Sequence, residues 1–180
     1  MGLDEKAMDD MGTRSRGAVS SRWWLREDSR SIVIGSTPEG LYEMVADLTR
    51  MGEWSPECQR VEWVDRSGQP VEGARFVGHN KGGPGQLMKW SRQGRVLAAD
   101  PGRELAFVTE EGGRESTEWR YRFERVDGGT RVTESYKVWR IPMWARILDV
   151  PTNRARELGE HMKHTLEHLK SSAEAAPSPR

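Results

Sequence analysis

The sequence predicts an α+β domain in which a curved seven-stranded antiparallel sheet wraps around a long C-terminal helix, with short helices after the first strand. Two observations carry this prediction. Between Val61 and Arg140 the apolar residues repeat every second position and glycine-rich turns interrupt them, which indicates consecutive hairpins. After Pro151 the repeat changes to the three- and four-residue spacing of an amphipathic helix. A sheet with one apolar face needs a cover, and this helix is the only element long enough.

The composition limits the class of protein. A chain of 180 residues suits a single domain with one core. The 28 basic and 28 acidic residues balance, so the net charge indicates neither a nucleic acid nor a charged membrane as partner. Eight tryptophans supply much of the apolar volume, which suits an aromatic cavity as well as a solid core. We expect a monomer or homodimer whose partner is a small hydrophobic ligand.

The two ends of the chain differ from its middle. Residues 1–21 and 172–180 show no hydrophobic periodicity and are predicted to be flexible tails, which leaves 22–171 as one domain. The N-terminus lacks the apolar run of a signal peptide, and no segment could span a bilayer. The single cysteine, Cys58, cannot form an internal disulfide. We therefore expect a cytoplasmic protein without stable membrane insertion.

The first elements are a strand and a helix. The β-branched run SIVIGS predicts a short strand. The helix starts either with Thr37 as N-cap or with a capping box of Ser36 and Glu39. Its apolar residues recur at helical spacing: Leu41, Met44, Val45 and Leu48. Gly52 suits the left-handed position that ends a helix, so the predicted helix has four turns.

Six strands follow, and the register of the last hairpin can be predicted. Their segments are 61–64, 74–80, 88–98, 104–110, 117–125 and 131–139. If Asp127 and Gly128 form a two-residue turn, Val126 pairs with Gly129. The same register pairs Phe123 with Val132, Tyr121 with Glu134, and Trp119 with Tyr136. One face of this hairpin is therefore aromatic, and the opposite face carries Arg120, Arg122 and Glu124.

The C-terminal helix is predicted to begin near Pro151. Its apolar stripe consists of Ala155, Leu158, Met162, Leu166 and Leu169, and a short segment before it contributes Met143, Trp144, Ile147 and Leu148. His161, His164 and His168 lie on one flank of the helix, away from the stripe. We expect them to face water, and we expect no metal site.

Several segments resemble a known superfamily. VADLTRMGEWSPECQRVEWV, GARFVGHNKGG, GRELAF and WRYRFERVDGGTRVTESYKV, in this order before a terminal helix, are similar to the START-type, helix-grip (SRPBCC) superfamily, and within it to the polyketide cyclase/dehydrase-like group. The resemblance covers about residues 25–170. It implies the helix-grip fold, with a cavity between sheet and helix. Because the shared motifs are architectural, it implies no particular reaction.

The resemblance also suggests where a ligand would lie. It implies that the turn after the first helix sits at the cavity mouth, so Trp54 is either a rim residue or a plug between helix and sheet. Phasing of the strands adds six expected apolar ligand-binding residues: Phe76, Trp90, Phe107, Trp119, Tyr121 and Tyr136. The short segment before the C-terminal helix adds Trp144 and Leu148. Asn80 follows on the same face as Phe76, where it either contacts a ligand or opens the next turn.

Glu134 is the main candidate for chemistry. The hairpin register places its carboxyl among aromatic side chains, where desolvation would raise its pKa and make it an acid/base or a polar anchor. The alternatives are a structural pair with an inward arginine or a register slip that exposes it. Arg92 shares the phase of Trp90 and either pairs with Glu134 or reaches solvent. The candidate catalytic residues are Glu134, Tyr136 and Arg92.

Two classes of function fit these observations. One is a binding module for a lipid, polyketide, sterol or quinone, and the other is a cyclase or dehydratase that uses acid-base chemistry in the same cavity. A protein-interaction module is a third possibility. The sequence lacks a zinc-type Cys/His spacing, a phosphate-binding loop and a dinucleotide fingerprint, so we expect no cofactor. We favour the binding module because no nucleophile, base and orienting group occur together.

Overall fold

The computed structural model describes residues 27–64, 68–140 and 154–175. In these residues, seven strands form one antiparallel sheet in the order β1-β7-β6-β5-β4-β3-β2. The strands are β1 (Glu27–Ile34), β2 (Cys58–Trp63), β3 (Arg75–Gly82), β4 (Met88–Asp100), β5 (Glu104–Glu111), β6 (Arg114–Val126) and β7 (Gly129–Val138). The α-helices are α1 (Pro38–Ala46) and α2 (Arg154–Ala175), and a 3₁₀ segment spans Leu48–Glu53. The predicted architecture is confirmed.

The β6–β7 hairpin has the predicted register. Asp127 and Gly128 form its two-residue turn, and Gly128 adopts a φ of 85°, which favours glycine. All four predicted cross-strand pairs occur, including Tyr121 opposite Glu134. The outward face carries ion pairs, such as that of Arg120 with Glu104 and Glu118. The hairpin therefore separates an aromatic inner face from a charged outer face.

The first helix is shorter than predicted. Thr37 is its N-cap and accepts a hydrogen bond of 3.1 Å from the backbone N–H of Gly40. The helix ends at Ala46 because Asp47 caps a new 3₁₀ segment, in which its Oδ1 accepts from the N–H of Thr49 at 3.2 Å. The prediction of one four-turn helix is wrong, since a capping residue in its last turn starts a different structure.

Gly52 has a different role from the one predicted. It does not adopt the left-handed conformation of a helix end. Instead, a Cβ at this position would lie 2.3 Å from the carbonyl oxygen of Gln59. Gly52 therefore allows the 3₁₀ segment to approach the backbone of β2 closely.

The two ends of the sheet differ in their packing. At the closed end, where the β4–β5 and β6–β7 turns lie, α1 packs against β5 and β6 and fills the interior. The rings of Tyr42 and Phe123 meet there edge to face, with 6.0 Å between centroids. The opposite end carries the β3–β4 and β5–β6 turns and is called the open end. The solid core therefore occupies only part of the space under the sheet.

The long helix covers the inner face of the sheet along β1 and β7. Its predicted stripe is confirmed in the described part: Met162, Leu166 and Leu169 are buried. Near its end, Lys170 Nζ donates to the carbonyl of Val33 at 2.8 Å, and Glu174 accepts from the N–H of Gly35. The predicted start at Pro151 lies outside the described residues. In the part of the chain that the structure describes, no helix is long and apolar enough to cross a membrane.

Candidate functional site: an internal cavity

A cavity of about 300 Å³ lies between the inner face of the sheet, α2 and the 3₁₀ segment. Its walls contain six of the predicted aromatic residues: Phe76, Trp90, Phe107, Trp119, Tyr121 and Tyr136. The helix contributes Leu158, His161, Met162 and Thr165. This volume is at the lower end of the range for small-molecule sites, which are typically apolar clefts with a few polar groups.

The inner limit of the cavity is set by Tyr121 and Glu134. Both line the cavity, whereas Phe123 and Val132, the next pair toward the closed end, belong to the buried core. Toward the open end, Trp119 and Tyr136 continue the wall with ring centroids 5.5 Å apart. The cross-strand pair Tyr121–Glu134 is therefore the polar floor of an otherwise aromatic chamber.

A glycine on β4 makes room for one of the wall residues. Phe76 pairs with Gly94 across the sheet, and a Cβ at Gly94 would lie 2.3 Å from Phe76 Cζ. The ring of Phe76 therefore lies over the glycine backbone, where it contacts Phe107 edge to face at 5.5 Å between centroids.

Glu134 is buried, with 4% of its surface exposed. Its Oε1 accepts a hydrogen bond of 2.8 Å from Tyr121 Oη, while its Oε2 has no hydrogen-bond partner among the described residues. Burial raises the pKa of the Glu134 carboxyl to about 8, and the bond from Tyr121 acts in the opposite direction. Burial likewise raises the pKa of Tyr121 well above its ordinary value, with Glu134 adding to the effect.

The raised pKa decides the protonation state of this floor. At neutral pH the Glu134 carboxyl is mostly protonated, so one oxygen accepts from Tyr121 and the other carries a proton. That second oxygen has no partner among the described residues. A buried donor without a partner is unfavourable, and a ligand carbonyl or hydroxyl would satisfy it.

The end of the cavity nearer the open end is polar. Arg92 Nη1 lies 3.1 Å from Glu111 Oε2, and both side chains line the cavity. Of the two alternatives considered for Arg92, the pairing with Glu134 does not occur, because the β3–β4 and β4–β5 registers bring Arg92 to Glu111 instead. Asn80 lines the wall here, with a long contact of 3.4 Å from its Nδ2 to the carbonyl of Gly78.

His161 and Glu57 form a contact that the sequence did not indicate. His161 Nδ1 lies 3.2 Å from Glu57 Oε2, and both residues line the cavity. The expectation that His161 faces water is therefore wrong, since the segment before β2 reaches the helix flank. His164 and His168 are exposed as predicted. No group of three or more candidate metal ligands occurs among the described residues.

Cys58 also lines the cavity, but its chemistry is suppressed. The thiol is partly buried, and burial raises its pKa to about 11. Its Sγ donates a long hydrogen bond of 3.7 Å to the carbonyl of Arg60. Because the thiolate is the nucleophilic form, Cys58 is a neutral wall residue at physiological pH.

Most of the predicted site residues share this one cavity. Trp54 does not line it: Trp54 is 1% exposed within the core, with the guanidinium of Arg50 5.3 Å from its ring centroid. It plugs the gap between helix and sheet, which is the second of the two roles expected for it. Trp144 and Leu148 lie outside the described residues. Glu111 was missed, although it continues the two-residue spacing of Phe107 and Thr109 along β5.

Solved structures share this architecture. The Polyketide_cyc-like protein Cgl2372 from Corynebacterium glutamicum is 28% identical, with a TM-score of 0.55 over 82% of this chain and 91% of that one. The di-domain ARO/CYC StfQ from the steffimycin biosynthetic pathway is 13% identical, with a TM-score of 0.64 over 83% of this chain and 50% of StfQ. A START superfamily protein from Mycobacterium smegmatis is 15% identical, with a TM-score of 0.61 over 82% and 97%. The last two similarities show the fold alone.

The sequence also matches a family model. No curated protein is significantly similar to the chain. The model described as polyketide cyclase / dehydrase and lipid transport matches residues 27–174, which includes every described strand and nearly all of α2. The helix-grip fold and this match agree with the resemblance found in the sequence. The chain therefore belongs to the polyketide cyclase/dehydrase and lipid transport family.

Proposed function

We propose that this protein binds a small hydrophobic or amphipathic molecule, of lipid, polyketide, sterol or quinone type, in the cavity between sheet and helix. The observation that carries the proposal is an aromatic chamber whose floor is a buried carboxyl with one unpartnered oxygen. The family description, which names both polyketides and lipids, agrees with it.

The arrangement of polar groups suggests how the ligand lies. Aromatic rings form the walls, so the middle of the ligand is apolar and flat or unsaturated. A carbonyl or hydroxyl of the ligand would reach the floor and accept a hydrogen bond from the protonated carboxyl of Glu134. A second polar group would lie near Arg92 and Asn80 toward the open end. The proposed ligand is therefore apolar in its middle and polar at both ends.

A cavity-filling variant tests the proposal. Gly78 lines the cavity and has open space around it, because a Cβ there would meet nothing closer than 3.9 Å. Gly78→Leu should occupy the chamber and abolish binding of prodan, a neutral fluorescent naphthyl ketone. Val77→Leu, on the outer face of the same strand, is the matched control and should bind prodan as wild type does. Equal binding by wild type and Gly78→Leu would contradict the proposal.

Catalysis in the same cavity is a second candidate function, favoured by the contact between His161 and Glu57. If Glu57 accepts a hydrogen bond from the Nδ1–H of His161, the Nε2 of the neutral ring is unprotonated and can act as a base. His161 would then take a proton from the carbon next to a ligand carbonyl, while Glu134 donates its proton to the carbonyl oxygen. The resulting enol is the nucleophile for the aldol closure expected of a polyketide cyclase.

Isotope exchange separates catalysis from binding. The methylene next to the carbonyl of bound prodan should exchange with deuterium faster than in buffer, as followed by NMR. His161→Phe should abolish the acceleration without abolishing prodan binding, and His164→Phe, an exposed control, should not change it. No acceleration in the wild type would leave binding as the function and reject this second candidate.

A further inference from the structure

The loop between β3 and β4 projects two apolar side chains into solvent at the open end of the sheet. Leu87 is 84% exposed and Met88 is 61% exposed, the highest values among the large apolar side chains described. The same strands carry Asn80 and Trp90, which line the cavity, so the loop lies beside the polar end of the chamber. Exposed leucine and methionine at such a place suggest a binding surface.

Two lysines flank this loop on the outer face of the sheet. Lys81 and Lys89 are directly opposite each other across β3 and β4, while their neighbours Asn80 and Trp90 point inward. Neither lysine forms an ion pair within the described ranges. Like charges that face each other across strands destabilise a sheet, and no carboxylate in the described part of the chain pairs with either lysine to offset the repulsion.

Arginines on the rest of this outer face have acidic partners. Arg75 pairs with Glu110, at 3.0 Å. Other arginines of the central strands also have carboxylate partners: Arg95 has Glu115, Arg120 has Glu104 and Glu118, and Arg122 has Glu104. The opposed lysines beside the exposed loop are therefore a local positive patch next to arginines that have carboxylate partners. The zero net charge of the chain conceals this patch.

The backbone of the loop is strained. Gln86 has a φ of 59°, a left-handed conformation that a residue with a side chain rarely adopts, and Gly83 and Gly85 are also left-handed. The turn then presents Leu87 and Met88 to water. Strain, exposed apolar surface and opposed charges each reduce stability, so folding alone does not account for this combination.

We propose that this tip, defined as Lys81, Leu87, Met88 and Lys89, docks on the surface of an anionic lipid bilayer. Leu87 and Met88 would enter the boundary between headgroups and acyl chains, and the lysines would contact lipid phosphates. Docking would bring the polar end of the cavity close to the bilayer. A ligand could then pass between the bilayer and the cavity. The docking itself does not depend on what the cavity binds.

Vesicle flotation of the full chain tests the proposal. Wild type should float with vesicles of phosphatidylcholine and phosphatidylglycerol in equal amounts at low salt, and remain unbound with phosphatidylcholine alone. The double variant Lys81→Gln/Lys89→Gln should bind the mixed vesicles roughly 25-fold more weakly, because each basic residue near an anionic surface strengthens binding about fivefold. Leu87→Ser/Met88→Ser should abolish flotation, and high salt should weaken it.

Matched variants remove the same groups elsewhere. Val71→Ser changes another exposed apolar residue, in the β2–β3 connection at the closed end, and should float as wild type. Arg103→Gln/Lys163→Gln removes two other exposed positive charges and should bind at least fivefold better than the lysine double variant. Equal losses in the matched variants would overturn the proposal, because the effect would then be one of general charge or apolarity.

Two further outcomes would also overturn it. One is wild-type protein that does not prefer anionic vesicles. The other is a wild-type dimer in sedimentation that Leu87→Ser/Met88→Ser dissociates, without vesicle binding, since a second copy would then cover the tip. Prodan binding without vesicles should be the same in the tip variants and wild type. Loss of docking is thereby distinguished from loss of the cavity.

Discussion

Tyr121 Oη donates a hydrogen bond of 2.8 Å to Glu134 Oε1 at the floor of the cavity. The two residues are directly opposite each other on β6 and β7, and the turn at Asp127–Gly128 fixes that register. This bond satisfies one carboxyl oxygen and leaves the other, Oε2, buried without a partner among the described residues. Burial then raises the pKa of Glu134 to about 8, so the floor is a neutral donor at physiological pH.

The first prediction is that stability falls as the pH rises through the range set by Glu134. Its carboxyl has a pKa near 4.5 when exposed and about 8 when folded, so between these values the folded state holds the extra proton. The free energy of unfolding therefore falls as the pH rises from 4.5 to 8. Glu134→Gln should flatten this range and be more stable than wild type at pH 9, by on the order of a few kcal/mol.

Urea denaturation at a series of pH values measures this effect. Glu124→Gln, an exposed carboxyl on the outer side of the same hairpin, is the control and should keep the wild-type slope. A wild type whose free energy of unfolding is constant or rises between pH 5 and pH 8 would contradict the assignment of a raised pKa to Glu134.

The second prediction concerns Tyr121→Phe. The bond from Tyr121 lowers the pKa of Glu134 against the larger effect of burial, so its removal should raise that pKa further. The variant should lose about 0.5–1.5 kcal/mol at neutral pH, the usual net value of one hydrogen bond. The decline of stability with pH should extend to a higher pH than in wild type. A shift of that decline to lower pH would contradict the described geometry.

The third prediction compares two glycines of the cavity region. Gly94→Ala would place a Cβ 2.3 Å from the ring of Phe76, so the ring must move, and we expect a loss of about 1–3 kcal/mol together with weaker prodan binding. Gly78→Ala meets nothing closer than 3.9 Å and is the matched control. Thermal and urea denaturation of both variants test the comparison. Equal stability of the two would show that Phe76 does not lie over Gly94.

The register of the last hairpin could be predicted because two local rules agree. A two-residue turn fixes which residues pair, and a period of two fixes which of them face inward. Together these rules predict Glu134 opposite Tyr121 and among aromatic side chains, and the hairpin has this arrangement. The side chains of β3, β5 and β6 that line the cavity could be predicted from the same alternation.

The parts that could not be predicted depend on contacts between distant segments. Arg92 pairs with Glu111 rather than with Glu134, and this choice depends on the combined registers of β3, β4 and β5. His161 lies on a polar helix flank, and nothing local indicates that Glu57, 104 positions earlier in the chain, reaches it. Asp47 looks compatible with a continuous helix, yet its capping of the next segment ends that helix.

The central claim is that a ligand carbonyl binds the protonated carboxyl of Glu134 inside the cavity. The dissociation constant of prodan at pH 6.5 and pH 9, in wild type and Glu134→Gln, tests it most directly. With a pKa of about 8, wild-type affinity should fall about tenfold between the two pH values, while that of Glu134→Gln should stay nearly constant. An affinity that is the same at both pH values in wild type, or that falls equally in Glu134→Gln, would contradict the account.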